Sequence, residues 1–311
     1  MRSVLRRSPV LAAHLLLLGV VLVWGTTFPI VKAALRDCSP LVFNLLRMVL
    51  ATLALAAFNV RRLRASTSRD LLAGGAAGFF LALGYQFQTA GLARTSASKS
   101  AFITGLVVVI VPLLGSIPGV RPASMPRTRW NGYTGALLAF CGLVLLTTPA
   151  HAPSPLSGIG LGEILTLGCA VAFAAHLLTL ARVSPSMDPL RLGTLQIAAA
   201  TVFMGLTLPL GGHPHLHWTP QVAIALVITG LLATAAAFTI QSWAQQHLPA
   251  THTALIFTLE PVFAWLTSLF FLGERLDLRS LEGAGLILAG ILLSELWPAT
   301  SFAIPAAPGG L

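Results

Sequence analysis

The sequence predicts an all-α membrane protein of ten transmembrane helices arranged as two inverted five-helix repeats. Three observations carry this. Apolar runs of about 17–23 residues follow one another, each long enough to cross roughly 30 Å of hydrocarbon as a helix. The composition is 56% hydrophobic and 9% charged, whereas soluble domains have about 25% charged residues. Finally, polar and aromatic landmarks of the first half return, in order, in the second.

Span one, Val10–Val31, follows the basic start Met1-Arg2-Ser3-Val4-Leu5-Arg6-Arg7. It is too long for the apolar core of a signal peptide and lacks a small-x-small cleavage site, so it is read as uncleaved. Ser39-Pro40 introduces span two, Leu41–Val60; proline suits the first turn of a helix and disrupts its interior. Span three, Leu71–Leu92, carries Gly74 and Gly78, and span five, Gly132–Thr148, carries Gly135 and Ala139. Small residues at this spacing let membrane helices approach closely. Span four, Ala101–Gly119, lies between them. Ser154-Pro155-Leu156-Ser157-Gly158 separates the halves, which run over residues 10–148 and 160–297. Span six is Leu161–Ala181. Asp188-Pro189 introduces span seven, Leu190–Leu210. Spans eight to ten are Gln221–Trp243, Thr253–Leu272 and Leu281–Trp297. None alternates in polarity over about ten residues, as barrel strands do. The Ala/Pro/Gly-rich tail, 298–311, is expected to be disordered.

The net charge of +10 has a topological explanation. With the N-terminus in the cytoplasm, most basic residues fall on the inner side, among them Arg61, Arg62, Arg64, Arg69, Arg182 and Arg191. Arg36, Arg94, Lys99, Arg275 and Arg279 fall outside. Short inner loops rich in Arg follow the positive-inside rule, so both termini are expected in the cytoplasm of a bacterium with the chain in its inner membrane. The bias is strong in the first half and weak in the second. No basic face is clustered outside the loops, so no nucleic-acid partner is expected. The partners are the lipid bilayer and a small-molecule substrate; no obligatory protein partner is inferred. Cys38, Cys141 and Cys169 do not make a disulfide framework.

The repeat fixes the orientation of the halves. At an offset of 149 residues Trp24 aligns with Phe173, Pro40 with Pro189 and Arg47 with Gln196. Later in each half the offset is 153, aligning Gln88 with Gln241, Ala97 with Ala250, Ser98 with Thr251 and Ala101 with Ala254. Five is odd, so the second half enters the membrane from the opposite side. The product is an inverted repeat with a pseudo-twofold axis in the membrane plane and a site between the halves.

Trp24-Gly25-Thr26-Thr27-Phe28-Pro29-Ile30-Val31-Lys32, with Pro40 and Arg47 after it, resembles the first-span pattern of the EamA branch of the drug/metabolite transporter superfamily. Thr95-Ser96-Ala97-Ser98-Lys99-Ser100-Ala101-Phe102 is similar to a later stretch of its first repeat. Leu259-Glu260-Pro261 and Phe271-Leu272-Gly273-Glu274-Arg275 look like the end of its second. The resemblance runs from about residue 14 to 297. It implies ten helices around a central path and export of amino acids or other small metabolites. The first repeat departs from the pattern, with Val107-Val108 where the second has Glu260-Pro261.

Charge within a span costs about 2.5–3.5 kcal/mol on insertion scales and marks candidate functional residues. Arg47 sits among Leu45, Leu46, Met48 and Val49. Two roles are open to it: bidentate binding of a substrate carboxylate or phosphate, or a structural snorkelling arginine. Lys32 either snorkels or joins Arg47 in a basic vestibule suited to an anionic or zwitterionic substrate. Glu260, beside Pro261 at mid-depth, is a candidate coupling residue for a proton or cation, or a neutral packing residue. Trp24, Gln88, Gln241 and His176 complete the candidate substrate-binding set; Gln86 and Gln88 lean to opposite faces, so at most one fully faces a cavity. His213-Pro214-His215-Leu216-His217 lacks the carboxylate or cysteine of a defined zinc site, so no metal and no cofactor are expected. The sequence contains no Gly-x-x-x-x-Gly-Lys-Ser/Thr, no Gly-x-Ser-x-Gly and no His-Glu-x-x-His, so a secondary carrier is expected rather than an ATPase or enzyme. A flippase for a lipid-linked polar group is the alternative within transport, and a polytopic membrane enzyme the alternative outside it.

Overall fold

The structure, a computed structural model, describes residues 9–123, 125, 130–148, 159–211 and 213–296. The basic start, the Ser154–Gly158 break and the tail 298–311 lie outside them. The first three spans are single helices, α1 (Pro9–Ala34), α2 (Pro40–Arg64) and α3 (Ser68–Leu92). Span four is broken into α4 (Ala97–Gly105) and α5 (Val107–Gly115). Span five is α6 (Trp130–Thr147), span six α7 (Leu161–Val183) and span seven α8 (Pro189–Thr207). Span eight runs through α9 (Pro220–Val227), a π-helical stretch (Ile228–Ala236) and α10 (Ala237–Ala244). Span nine is broken into α11 (Ala250–Phe257) and α12 (Glu260–Leu272), and span ten is α13 (Leu278–Leu296). Eight of these segments are long and apolar enough to cross a membrane, and α3 and α13 complete the ten.

Local chemistry sets the boundaries. Pro40, Pro189 and Pro220 stand in the first turns of α2, α8 and α9, where no intrahelical N–H is lost. Thr67 and Asp70 form a reciprocal capping box on α3. The breaks in spans four and nine are repeat mates: Leu106 plus 153 is Leu259. Pro261 therefore opens a new helix, with Glu260 as its first residue, instead of kinking a continuous one. The equivalent break in span four occurs with valines in place of Glu-Pro, so the break belongs to the fold and the charge to one half only. The π stretch accounts for a shift in register. Gly78 and Gly230 seat on Gln196 and Arg47 backbone oxygens respectively, at an offset of 152. Beyond the π stretch the offset is 153, and a π-bulge is a one-residue insertion of this kind.

The two sequence halves do not form separate bodies. Spans one, two, eight and nine contact one another, as do spans three, four, six and seven. Each four-helix bundle thus takes two helices from each half, and the pseudo-twofold axis exchanges the bundles. The picture of two halves facing each other as blocks, suggested by the linear repeat, is replaced by this interleaving. Symmetry is visible in the side chains. Trp24 packs on Phe238 with ring centroids 5.3 Å apart, and their repeat mates Phe173 and Tyr85 pack at the same 5.3 Å. On the axis itself, Thr52 and Thr201 share a 2.8 Å hydrogen bond. Spans five and ten pair antiparallel beside the bundles, where Gly142 meets Gly283 and Gly135 meets Gly290 at backbone contact.

Candidate functional site

Between the bundles lies a cavity with about 690 Å³ of space, counted out to its mouth, within the 300–1,000 Å³ usual for small-molecule sites. Its lining includes Trp24, Arg47, Gln88, His176, Gln241 and Glu260. The candidates scattered over 237 residues of sequence, Lys32 excepted, therefore share one enclosure. The remaining wall is aromatic and hydroxylic: Phe28, Tyr85, Phe173, Phe238, Phe257, Thr27, Thr89 and Thr104.

Arg47 is 4% exposed. Its Nε donates to Thr234 Oγ1 at 2.6 Å and its Nη2 to Tyr85 Oη at 2.8 Å. The Tyr85 ring also lies under the guanidinium, 4.1 Å from Cζ to the centroid. These contacts fix the guanidinium plane without neutralising it. Among the described residues no carboxylate pairs with Arg47, and no acceptor reaches Nη1. A snorkelling arginine would send its head to the interface; this one is held inward. Tyr85 was not legible as a site residue. The signal was available, since it is the repeat mate of Phe238 and stands about one turn before Gln88.

Glu260 is 9% exposed and no side-chain hydrogen bond or ion pair satisfies its carboxyl among the described residues. Among the described residues, Gln241 Oε1 is buried without a partner and Gln88 makes no side-chain hydrogen bond. Gln86 is turned away, bonding Thr207 and Asn44. His176 is tied at 2.8 Å to Gln196 Oε1, and Gln196 Nε2 reaches Ser242 at 3.0 Å. Gln196 is the mate of Arg47, so this neutral chain occupies the position that the guanidinium holds in the other bundle. Buried polar groups are normally satisfied. The free donor of Arg47, the free carboxyl and the free amides make this cavity chemically incomplete.

Lys32 does not line this cavity. Its Nζ donates to the carbonyls of Leu92 (2.7 Å), Ala93 (3.3 Å) and Thr95 (2.7 Å) at the end of α3. It faces a separate surface cleft shared with Arg36 and Glu274. A cation there complements the α3 C-terminus. The expected basic vestibule of Lys32 and Arg47 is therefore absent from this arrangement. Glu274, in the Gly-Glu-Arg stretch, is aimed by the left-handed Gly273 (φ +66°) that ends α12. It accepts from the N–H groups of Ala97 and Ser98 at 3.0 Å and from Ser98 Oγ at 2.8 Å, capping α4. The His213–His217 loop pairs with the α1–α2 loop through a Cys38–Leu216 β-bridge. Among the described residues no cluster of three metal-ligating side chains occurs.

The model of the EamA-like transporter family matches residues 11–148 and 160–296. The chain belongs to the EamA-like transporter family. An "Uncharacterized transporter" of Archaeoglobus fulgidus is 34% identical over 92% of this chain and 86% of its own length. The transporter YwfM of Bacillus subtilis is 26% identical over 88% of this chain and 90% of its own. The threonine/homoserine exporter RhtA of Escherichia coli is 26% identical over 43% of this chain and 45% of its own. A solved crystal structure with 18% identity superposes with a TM-score of 0.65 over 92% of this chain and 96% of that one, a likeness of fold. This EamA-like chain is a multi-pass membrane transporter, and the cavity lies at the place where inverted-repeat carriers bind substrate.

Proposed function

We propose that this transporter is a secondary exporter of amino acids or other small zwitterionic metabolites, working by alternating access in a bacterial inner membrane with both termini cytoplasmic. One observation carries the reading: Arg47 and Glu260 line the same buried cavity, and neither has a charged partner among the described residues. An unpaired charge in a low-dielectric interior is strongly disfavoured. A ligand bearing a carboxylate and an ammonium supplies both counter-charges at once. Arg47 Nη1 receives the carboxylate and Glu260 the ammonium, while Gln88 and Gln241 offer hydrogen bonds and the aromatic wall receives the apolar part of the solute. When the ligand leaves, Glu260 takes a proton in its place, which couples transport to the proton gradient.

The test is counterflow in proteoliposomes. Vesicles loaded with unlabelled amino acids should accumulate labelled amino acid. Vesicles loaded with the matching deaminated acids or decarboxylated amines should do so far more weakly. Equal trans-stimulation by the acids or the amines overturns the zwitterion reading, and stimulation by lipid-linked glycans alone overturns the metabolite reading.

A further inference from the structure

Lys32 and Glu274 have features of a gate. Both ride on the same bundle: α1 and α12 pack so closely that a Cβ on Gly25 would lie 2.6 Å from Phe263 Cβ. Both reach across to the other bundle, where α3 and α4 stand. Lys32 holds the C-terminal carbonyls of α3 and Glu274 the N-terminal amides of α4. The two charges therefore clamp the ends of two successive helices on one face of the protein. Lys32 and the Ala93 carbonyl it neighbours adjoin Val31 and Leu92, which line the cavity, and Glu274 shares the cleft of Lys32. Lys32 and Glu274 line one cleft but form no ion pair with each other.

The opposite face is closed by amide side chains and by one exposed ion pair, Arg62–Asp188 at 3.4 Å, which also spans the bundles. Among the described residues, no charge there caps a helix end of the opposing bundle as Lys32 and Glu274 do. Gln246 Nε2 donates to the carbonyls of Ser184 (2.9 Å) and Met187 (2.8 Å), and Gln245 Nε2 to that of Leu177 (3.2 Å). These bonds also cross between bundles. Leu180, the mate of Val31, is fully buried there.

We infer that Lys32 and Glu274 are an electrostatic latch that exchanges partners. With this face closed, each caps a helix end of the opposing bundle; when the bundles part, the two charges, still on one body, pair with each other. Helix-end capping stabilises the closed arrangement and the new ion pair keeps the open one from leaving two uncompensated charges. The latch rests on the alternating-access reading, but its test needs no substrate.

Cys38, Cys141 and Cys169 are first replaced by alanine. Single cysteines are then placed at Val31 and at Leu180, and labelling by a membrane-impermeant maleimide is followed in sealed vesicles of both orientations. Lys32→Met combined with Glu274→Gln should raise labelling of Val31→Cys about tenfold, equivalent to ~1.4 kcal/mol of lost closed-state stabilisation, without raising that of Leu180→Cys. Lys32→Arg should stay near the parent rate. The exchanged pair, Lys32→Glu with Glu274→Lys, breaks both caps yet can still form the ion pair, so it should label faster at Val31→Cys than the neutral double variant. Unchanged labelling of Val31→Cys overturns the latch, and so does a parallel rise at Leu180→Cys, which signals general loosening. An exchanged pair no faster than the neutral one overturns the change of partners. A failed counterflow experiment with a positive labelling result would remove the zwitterion and leave the latch.

Discussion

Arg47 and Glu260 line one cavity and do not form an ion pair. They come from different repeats and replace neutral mates, since Gln196 stands opposite Arg47 and Val107 opposite Glu260. A symmetric scaffold thus holds a polarised site, with a guanidinium contributed by span two and a carboxyl by span nine.

Arg47→Gln is expected to remove the carboxylate contact while the protein still inserts and stays monodisperse. A hydrogen bond to a charged group is worth ~1.5–3 kcal/mol, so transport should fall roughly ten- to a hundredfold. Arg47→Lys should recover only part, because the ammonium cannot hold Thr234, Tyr85 and a ligand in one plane. Normal counterflow by Arg47→Gln would show that the arginine is structural.

Glu260→Gln keeps the size and imitates the protonated acid. Accumulation driven by a pH gradient should disappear while energy-independent exchange persists, measured side by side in the same vesicles. Unchanged gradient-driven accumulation removes Glu260 as the coupling group.

Tyr85→Phe deletes the hydroxyl that accepts from Arg47 and keeps the ring beneath it. The loss is that of one hydrogen bond, ~0.5–1.5 kcal/mol, so the half-saturating substrate concentration should rise several-fold with little change in maximal rate. A fall in maximal rate alone would place Tyr85 in the conformational step instead.

Gly283→Leu tests the pairing of spans five and ten. A Cβ on Gly283 would lie 2.4 Å from the backbone nitrogen of Leu146 and 2.6 Å from the Gly142 oxygen, and the backbone cannot yield cheaply. Thermal unfolding in detergent should shift downward, with a loss of ~1–3 kcal/mol. Gly285→Leu, where nothing lies within 4 Å of the added carbon, should leave the midpoint near that of the parent.

Cysteine labelling of the native chain gives a further check. Cys38 is fully buried and its burial pushes the thiol up to about 11, so little thiolate exists at neutral pH. Cys141 is exposed and Cys169 buried. A lipid-soluble maleimide should modify Cys141 alone until the protein is denatured, as read by mass spectrometry.

The sequence by itself determined the number of spans, their approximate ends and the inverted repeat. These depend on hydropathy along one segment, on prolines at helix starts and on residue matches at a fixed offset, all of which are local or linear properties. It also singled out Arg47 and Glu260, because charge in an apolar run is conspicuous wherever the run lies. Tertiary structure alone decided that the halves interleave into two bundles, that span four breaks as span nine does, and that Lys32 clamps a helix end away from the cavity. Each of these depends on which helix neighbours which, and on where a long side chain finds carbonyls about sixty residues further along the chain. The break in span four is the clearest case. Gly105-Leu106-Val107 carries no proline or charge, and only the tertiary structure shows that Gly105 lies against Pro261 across the axis, a proximity between residues more than 150 positions apart.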